Sequence, residues 1–363
     1  MHKQSKTIFK IHDLSLVFGE GLFRLENIKN IDINQGEIVG ILGESGCGKT
    51  TFGKCLIGLI NHRDTTRFGI TSLSDRDVES KIEFFHYPQI FKSNNILSGT
   101  KRELQEYRKH VQMIFQQPRA SLNMNMPARK ILEEAVKIGD PKIKSESMEE
   151  RILTLTDRFE LGGSNWRRFA KSKPKQLSGG ERRRLGIAKV FAVTPDIIIA
   201  DEPVASLDVS VRGKILNTLY QEWKERYIAW ESGERENPLT LIIISHDYNM
   251  IQRLAHKVLV FYGDVHVKRG AIVDCYLTSH SVNTSTQKKH PYSQKLKNDS
   301  KFMIDSVTEN NETDQIKKIS GPKITTGCIY INNCPVAEKR CGDADAREWN
   351  YSSTNMPCKK LNN

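Results

Sequence analysis

The sequence predicts an α/β protein with a mostly parallel core sheet, and three short segments carry that expectation. Ile38-Val39-Gly40-Ile41-Leu42, Ile197-Ile198-Ile199-Ala200 and Leu241-Ile242-Ile243-Ile244 are continuously apolar and bounded by polar residues, the pattern of strands covered on both faces. The first runs into a glycine-rich turn and then a segment with Phe52, Cys55, Leu56 and Leu59 at helical spacing, so it reads as strand, loop, helix. The other two end in polar residues, Asp201-Glu202 and Ser245-His246. Ligands of open α/β sheets bind beyond the carboxyl ends of the strands, so the spacing predicts that Asp201, Glu202 and His246 converge where the glycine-rich turn holds its ligand.

The remaining elements follow in chain order. Residues 61–110 have poor periodicity and mix Asp, Arg, Ser, Phe and Gly, which predicts an irregular surface insertion. Ile131-Leu132-Glu133-Glu134-Ala135-Val136 and Ile152-Leu153-Thr154-Leu155 look helical and predict a helical subdomain over about 120–185. After Gly270 the apolar density falls, and 281–320 is rich in Lys, Asn, Ser, Thr and Asp, so a flexible linker is expected to lead to a cysteine-bearing tail. No internal repeat is found.

The 363 residues, 38% hydrophobic and 27% charged, suffice for two units with a substantial core. The longest apolar runs fall far short of the roughly 20 residues that a spanning helix needs. The N-terminus lacks the apolar core and cleavage site of a secretory signal, and the chain is expected in the cytoplasm. A formal net charge of +12 is compatible with nucleic acid, an anionic membrane surface or a solvated basic face. Basic residues crowd between Trp166 and Lys189. The patterning favours solvated surface or lipid headgroup contact, and no nucleic-acid partner is expected. Of seven cysteines, Cys47, Cys55 and Cys275 are scattered, while Cys328, Cys334, Cys341 and Cys358 gather at the end; in a cytoplasmic chain such a cluster suggests metal more than disulfides.

Gly43-Glu44-Ser45-Gly46-Cys47-Gly48-Lys49-Thr50 matches the P-loop pattern. Its small residues let successive backbone N–H groups curl around phosphate oxygens. Lys49 is then placed to neutralise the β and γ phosphates and Thr50 to offer a hydroxyl to Mg²⁺, with the helix that begins there aiming its positive end at the anion. Cys47 occupies a position where a small side chain suffices and is not read as a nucleophile. Ile197-Ile198-Ile199-Ala200-Asp201-Glu202 reads as a Walker B strand: the first acid orders Mg²⁺ through its water shell, and the second polarises the attacking water.

Leu177-Ser178-Gly179-Gly180-Glu181, shortly before that strand, resembles the signature motif of the ABC ATPase family. The resemblance extends to Gln116 in Phe115-Gln116-Gln117-Pro118 (the Q-loop), Ser206-Leu207-Asp208 (the D-loop) and Ser245-His246-Asp247 (the switch histidine), all in family order. Glu181 stands where related importers frequently carry Gln. The resemblance implies a P-loop NTPase of the ABC ATPase type, its core sheet joined by an antiparallel β subdomain and a helical subdomain, with a nucleotide-binding domain over 1–275. Two such domains would sandwich two ATP molecules, the signature of each covering the P-loop of the other. Ser178, Gly179, Gly180 and Asp208 would then contact ATP in trans, while Gly43, Glu44, Ser45, Gly46, Cys47, Gly48, Lys49, Thr50 and Thr51 bind it in cis with Gln116 and Asp201. Mg²⁺ would take Thr50, Gln116 and Asp201; Glu202 and His246 would be catalytic. An N-terminal aromatic normally stacks on adenine in this family, and Phe18 is the candidate, with Phe23 second.

The tail narrows the resemblance. His290-Pro291-Tyr292-Ser293, then Gly327-Cys328, Cys334-Pro335, Cys341 and Pro357-Cys358, resemble the C-terminal extension of oligopeptide, dipeptide and nickel importer ATPases. This implies a linker over 276–320 and a four-cysteine extension over 321–363. Five, six and sixteen residues separate successive cysteines, whereas structural zinc sites usually contain a closer pair; some relatives carry a cluster here, so a [4Fe–4S] cluster is expected ahead of zinc or free thiols. The implied function is ATP hydrolysis coupled to peptide import, at the cytoplasmic face of the plasma membrane. The implied partners are a second ABC ATPase subunit, two transmembrane permease subunits, an external substrate-binding protein and the membrane surface. The alternatives are import of nickel or another small solute, a soluble ATPase of phosphonate metabolism or of ribosome or nucleic-acid work, and a degenerate partner that binds ATP without turnover, against which Glu202 and His246 stand.

Overall fold

A computed structural model describes residues 5–19, 23–65, 68–75, 78–205, 207, 209–264, 268–278, 289–305, 328–335, 337 and 341. The strands are β1 (Thr7–Phe18), β2 (Phe23–Asn34), β3 (Ile38–Leu42), β4 (Ile70–Ser72), β5 (Ser74–Asp75), β6 (Val78–Glu79), β7 (Lys81–Phe84), β8 (Val111–Ile114), β9 (Ile197–Asp201), β10 (Thr240–Ser245), β11 (Lys257–Asp264) and β12 (Arg269–Leu277). The helices are α1 (Lys49–Leu56), α2 (Lys101–His110), α3 (Ala128–Gly139), α4 (Ser145–Arg158), α5 (Trp166–Lys171), α6 (Gly179–Ala192), α7 (Val209–Glu231), α8 (Tyr248–Leu254) and α9 (Pro291–Asp305). The chain divides into two compact units, one of Met1–Ser5 with Lys101–Ile243 and one of Lys6–Thr100 with Ile244–Asn363. Each unit joins residues distant in sequence. Among the described residues no helix is long and apolar enough to cross a membrane.

In the first unit β8 pairs in parallel with β9, Val111 opposite Ile197 and Ile114 opposite Ala200, and β10 lies on the other side of β9. Every residue of β9 and β10 is buried, as continuous apolar runs of a parallel sheet require. Helices α3 to α6 pack on one another, and Phe159 meets Phe191 with ring centroids 5.3 Å apart. Of these helices α6 runs from Gly179 to Ala192.

In the second unit the strand order is β4-β1-β2-β12-β11-β3, with β7 also on β1. β1 is antiparallel to β2, β4 and β7, while β11 runs parallel to β3. The stretch 61–110 is therefore not the irregular excursion expected. Lys81-Ile82-Glu83-Phe84 alternates half-buried and buried positions against β1, and Phe84 packs on Phe9 at 5.4 Å. Ile96, Leu97, Leu104 and Tyr107 are also buried. Strands of two to four residues are shorter than any window over which a period can be read. α1 is shorter than the spacing suggested: Leu59 N bonds Lys54 O at 2.9 Å across the Ile57-Gly58 turn, which ends the helix before Leu59.

The expected linker also contains a helix, α9. Its first turn is held by the Asp274 carboxylate, which accepts from His290 N at 2.9 Å and Ser293 Oγ at 2.6 Å. Tyr292 is fully buried, with ring centroids 4.8 Å from Tyr262 and 5.2 Å from Tyr330. Local composition predicts a polar linker; long-range aromatic packing overrides it.

Candidate functional site

The second unit holds the P-loop, between β3 and α1. The Lys49 ammonium lies inside the loop, donating to Gly43 O and to Glu44 O, each at 2.7 Å. Glu44, Ser45 and Gly46 form the exposed rim, and Thr50 and Thr51 occupy the first turn of α1, half-buried. Gly48 is the N-cap of α1 at φ 105, with no side-chain cap, so the positive end of the helix dipole opens into the loop without a capping side chain. The loop is seated on the β11–β12 hairpin. A Cβ at Gly43 would stand 2.2 Å from Phe261 O, and one at Gly263 would stand 2.7 Å from Cys47 Cα. Gly263→Ala is therefore expected to push the loop off its seat at a cost of about 1–3 kcal/mol. Titration of the full chain with ATP should show weaker binding, tenfold for each 1.4 kcal/mol transmitted to the loop. Burial pushes the Cys47 thiol above its ordinary value, against the opposing effect of Lys49, which agrees with the reading that it is no nucleophile.

Three further expected residues belong to this unit. Phe18 and Phe23 end the β1–β2 pair with ring centroids 6.1 Å apart, edge to face. A Cβ at Gly270 would meet both Phe23 Cζ and Cys47 O at 2.7 Å, so Phe23, the second candidate, sits beside the P-loop backbone. His246 is exposed, directly after β10. Asp247 follows as the N-cap of α8, its Oδ1 accepting from Met250 N at 2.9 Å. The tail reaches the loop as well: Lys295 Nζ of α9 lies 3.7 Å from Glu44 Oε1.

The first unit holds the other expected residues. Gln116 is exposed, two residues past β8. Asp201 closes β9 at 2% exposure, and Glu202 follows with φ 46, a left-handed conformation uncommon for residues other than glycine. Ser178 is the N-cap of α6 in a reciprocal box: Glu181 N donates to Ser178 Oγ at 3.2 Å, and Ser178 N donates to Glu181 Oε2 at 2.8 Å. Glu at 181 thus closes the cap, and the Ser178 backbone N–H is the main cause holding its carboxyl below the usual range. Ser178 and Gly179 are exposed. Among the described residues a Cβ at Gly179 would meet nothing within 4 Å and one at Gly180 only Arg184 Nη1 at 3.7 Å, so none of them crowds these two positions. Ser206 and Asp208 lie outside the described residues. The sequence reading missed Arg183, which reads as one of three basic residues in Arg182-Arg183-Arg184. Only the fold shows that it is buried at 4% exposure among backbone carbonyls.

Three of the four tail cysteines, Cys328, Cys334 and Cys341, lie among the described residues. Cys328 N bonds Cys341 O at 2.9 Å, and Cys328 Sγ lies 3.9 Å from His290 Nε2, an imidazole that burial lowers to about 3 and so keeps neutral. Yet among the described residues no three His, Cys, Asp or Glu side chains form a group able to hold a metal. Cys358 lies outside them.

Comparison with known proteins agrees with this architecture. The ABC transporter family pattern matches residues 26–205. The oligopeptide transport ATP-binding protein OppF of Haemophilus influenzae is 29% identical over 341 residues, covering 92% of this chain and 88% of that protein. The oligopeptide transport ATP-binding protein AmiF of Streptococcus pneumoniae is 32% identical over 295 residues, covering 80% and 81%. The dimeric post-hydrolysis structure of the ATP-binding cassette MJ0796 bound to ADP and Pi shares the fold at TM-score 0.52 and 24% identity, over 70% of this chain and 94% of that one. These likenesses show that the chain belongs to the ABC transporter family, as an ATPase.

Proposed function

We propose that the chain hydrolyses ATP to drive uptake of peptides through separate membrane permeases, as a peripheral subunit on the cytoplasmic face of the plasma membrane. The observation that carries this reading is the exposed Ser178-Gly179 turn at the start of α6. Glycine at the start of a helix costs conformational entropy, and among the described residues a Cβ at Gly179 would meet nothing within 4 Å. Close approach of an external phosphate supplies the reason, and the helix N-terminus supplies the charge. That phosphate is the γ-phosphate on the P-loop of a second ATPase subunit, identical or homologous. Removing it by hydrolysis releases the closed pair, a two-state clamp that rocks the permeases.

Within each site Lys49 and the α1 N-terminus hold the β and γ phosphates, and Phe18 or Phe23 stacks on adenine. Thr50, Gln116 and Asp201 would hold Mg²⁺ through hard oxygen donors of the kind it prefers, and the ion would supply positive charge to the phosphate. Glu202 polarises the attacking water, and His246 holds that water and the γ-phosphate. The names of OppF and AmiF support peptide as the cargo. Affinity purification of the full chain from gently solubilised membranes is expected to recover two permeases, and vesicles holding that complex and its external binding protein should accumulate labelled oligopeptide only with ATP. Co-purifying ribosomal proteins without permeases would overturn the transport reading, and uptake of nickel but not peptide would overturn the cargo.

A further inference from the structure

Arg183, on α6, is buried in the first unit, where its guanidinium donates to backbone oxygens. Nε donates to Pro203 O at 2.9 Å. Nη1 donates to Phe115 O at 2.8 Å and to Gln116 O, and Nη2 donates to Glu202 O. One side chain therefore ties the signature helix to the turn after β8 and to the turn after β9, both named in the proposed mechanism. Burial lowers the guanidinium from its ordinary value, and the Asp201 and Glu202 carboxylates act in the opposite sense.

The chemistry of the group suits this task. A guanidinium presents five donors in a fixed planar fork, whereas an ammonium is a point charge that cannot span carbonyls on separate segments. The turn it grips is also the one that needs holding. Glu202 has φ 46, and a residue other than glycine persists in that region only where its surroundings over-determine it. Two of the four carbonyls bound by Arg183, those of Glu202 and Pro203, belong to that turn. A third belongs to Gln116, so the Q-loop and the catalytic turn share one anchor on the helix that begins with Ser178.

We infer that Arg183 is a positioning residue for hydrolysis: its fork holds the Glu202 backbone, in register with Gln116, so that the Glu202 carboxylate is presented to the attacking water in one orientation. The inference rests on the reading of Glu202 as the group that polarises water. It gives α6 a mechanical role besides its signature turn, since a displacement of this helix reaches the Gln116 and Glu202 turns through one rigid side chain.

The test uses the full chain in its purified transporter, with Arg183→Lys as the conservative variant and Arg183→Gln as a second that keeps two donors without a buried charge. A displaced catalytic group costs up to about 100-fold in rate, so kcat is expected to fall about 10- to 100-fold in both. The KM for ATP and binding of a fluorescent ATP analogue should change little, and the thermal midpoint should fall by a few degrees while the chain stays folded at the assay temperature. Unchanged kcat in both variants would overturn the inference, as would a loss of ATP binding or of folding as large as the loss of turnover, which marks a merely structural tie. Combining Arg183→Lys with Glu202→Gln separates this inference from its premise. Residues acting as a unit are non-additive, so the double variant is expected to be no slower than Glu202→Gln alone. Losses that multiply would overturn action through Glu202, whereas near-normal turnover of the Glu202→Gln single variant would instead remove Glu202 from its role.

Discussion

Glu202→Gln is expected to bind ATP as the parent chain does and to lose turnover by about 10²- to 10⁴-fold, the usual contribution of a positioned general base. Gln keeps the shape of Glu and leaves the backbone carbonyl that accepts from Arg183 and from Ala205 N, so the strained turn survives the change. What disappears is the capacity to draw a proton from water. Asp201, 2% exposed at the end of β9, is untouched, as are Lys49 and the P-loop. The measurement is steady-state phosphate release by the assembled transporter, set beside binding of a fluorescent ATP analogue. Hydrolysis near the parental rate would assign the base elsewhere.

Ser178→Arg is expected to lower turnover by about 10²- to 10³-fold, the cost of removing one preorganised donor from a developing charge, with the added obstruction of a long cationic chain. Ser178 is exposed, so the new side chain is not forced into this chain's own core. Its loss as N-cap of α6, where its Oγ accepts from Glu181 N, costs about 1 kcal/mol of helix stability, visible as a small drop in thermal midpoint. ATP binding to this chain's own P-loop should persist, because the proposed contact is made with the partner's nucleotide. Mixing the variant with parental chain at increasing ratios checks the trans assignment. Unchanged ATPase activity in the pure variant assembly would sink it, and loss of the variant's own ATP binding would point to a contact in cis.

The sequence by itself determined the elements whose chemistry is local. Strands buried on both faces announce themselves as apolar runs, and β3, β9 and β10 cover the segments read from Ile38, Ile197 and Leu241. The P-loop, the acidic strand end and the signature turn are legible because phosphate binding demands small residues at fixed spacing. Only the tertiary structure decided the features built from distant partners. Short parts of 61–110 became strands through pairing of β4 and β7 with β1, and part of the supposed linker became a helix because Tyr292 fills the space between Tyr262 and Tyr330. Arg183, one basic residue among many in the sequence, became an anchor because Phe115, Gln116, Glu202 and Pro203 turn their carbonyls toward it. Hydrophobic period and turn chemistry act over a few residues and are written in composition. Backbone pairing and carbonyl recognition read no side-chain identity in the partner segment, and so leave no mark in a single sequence.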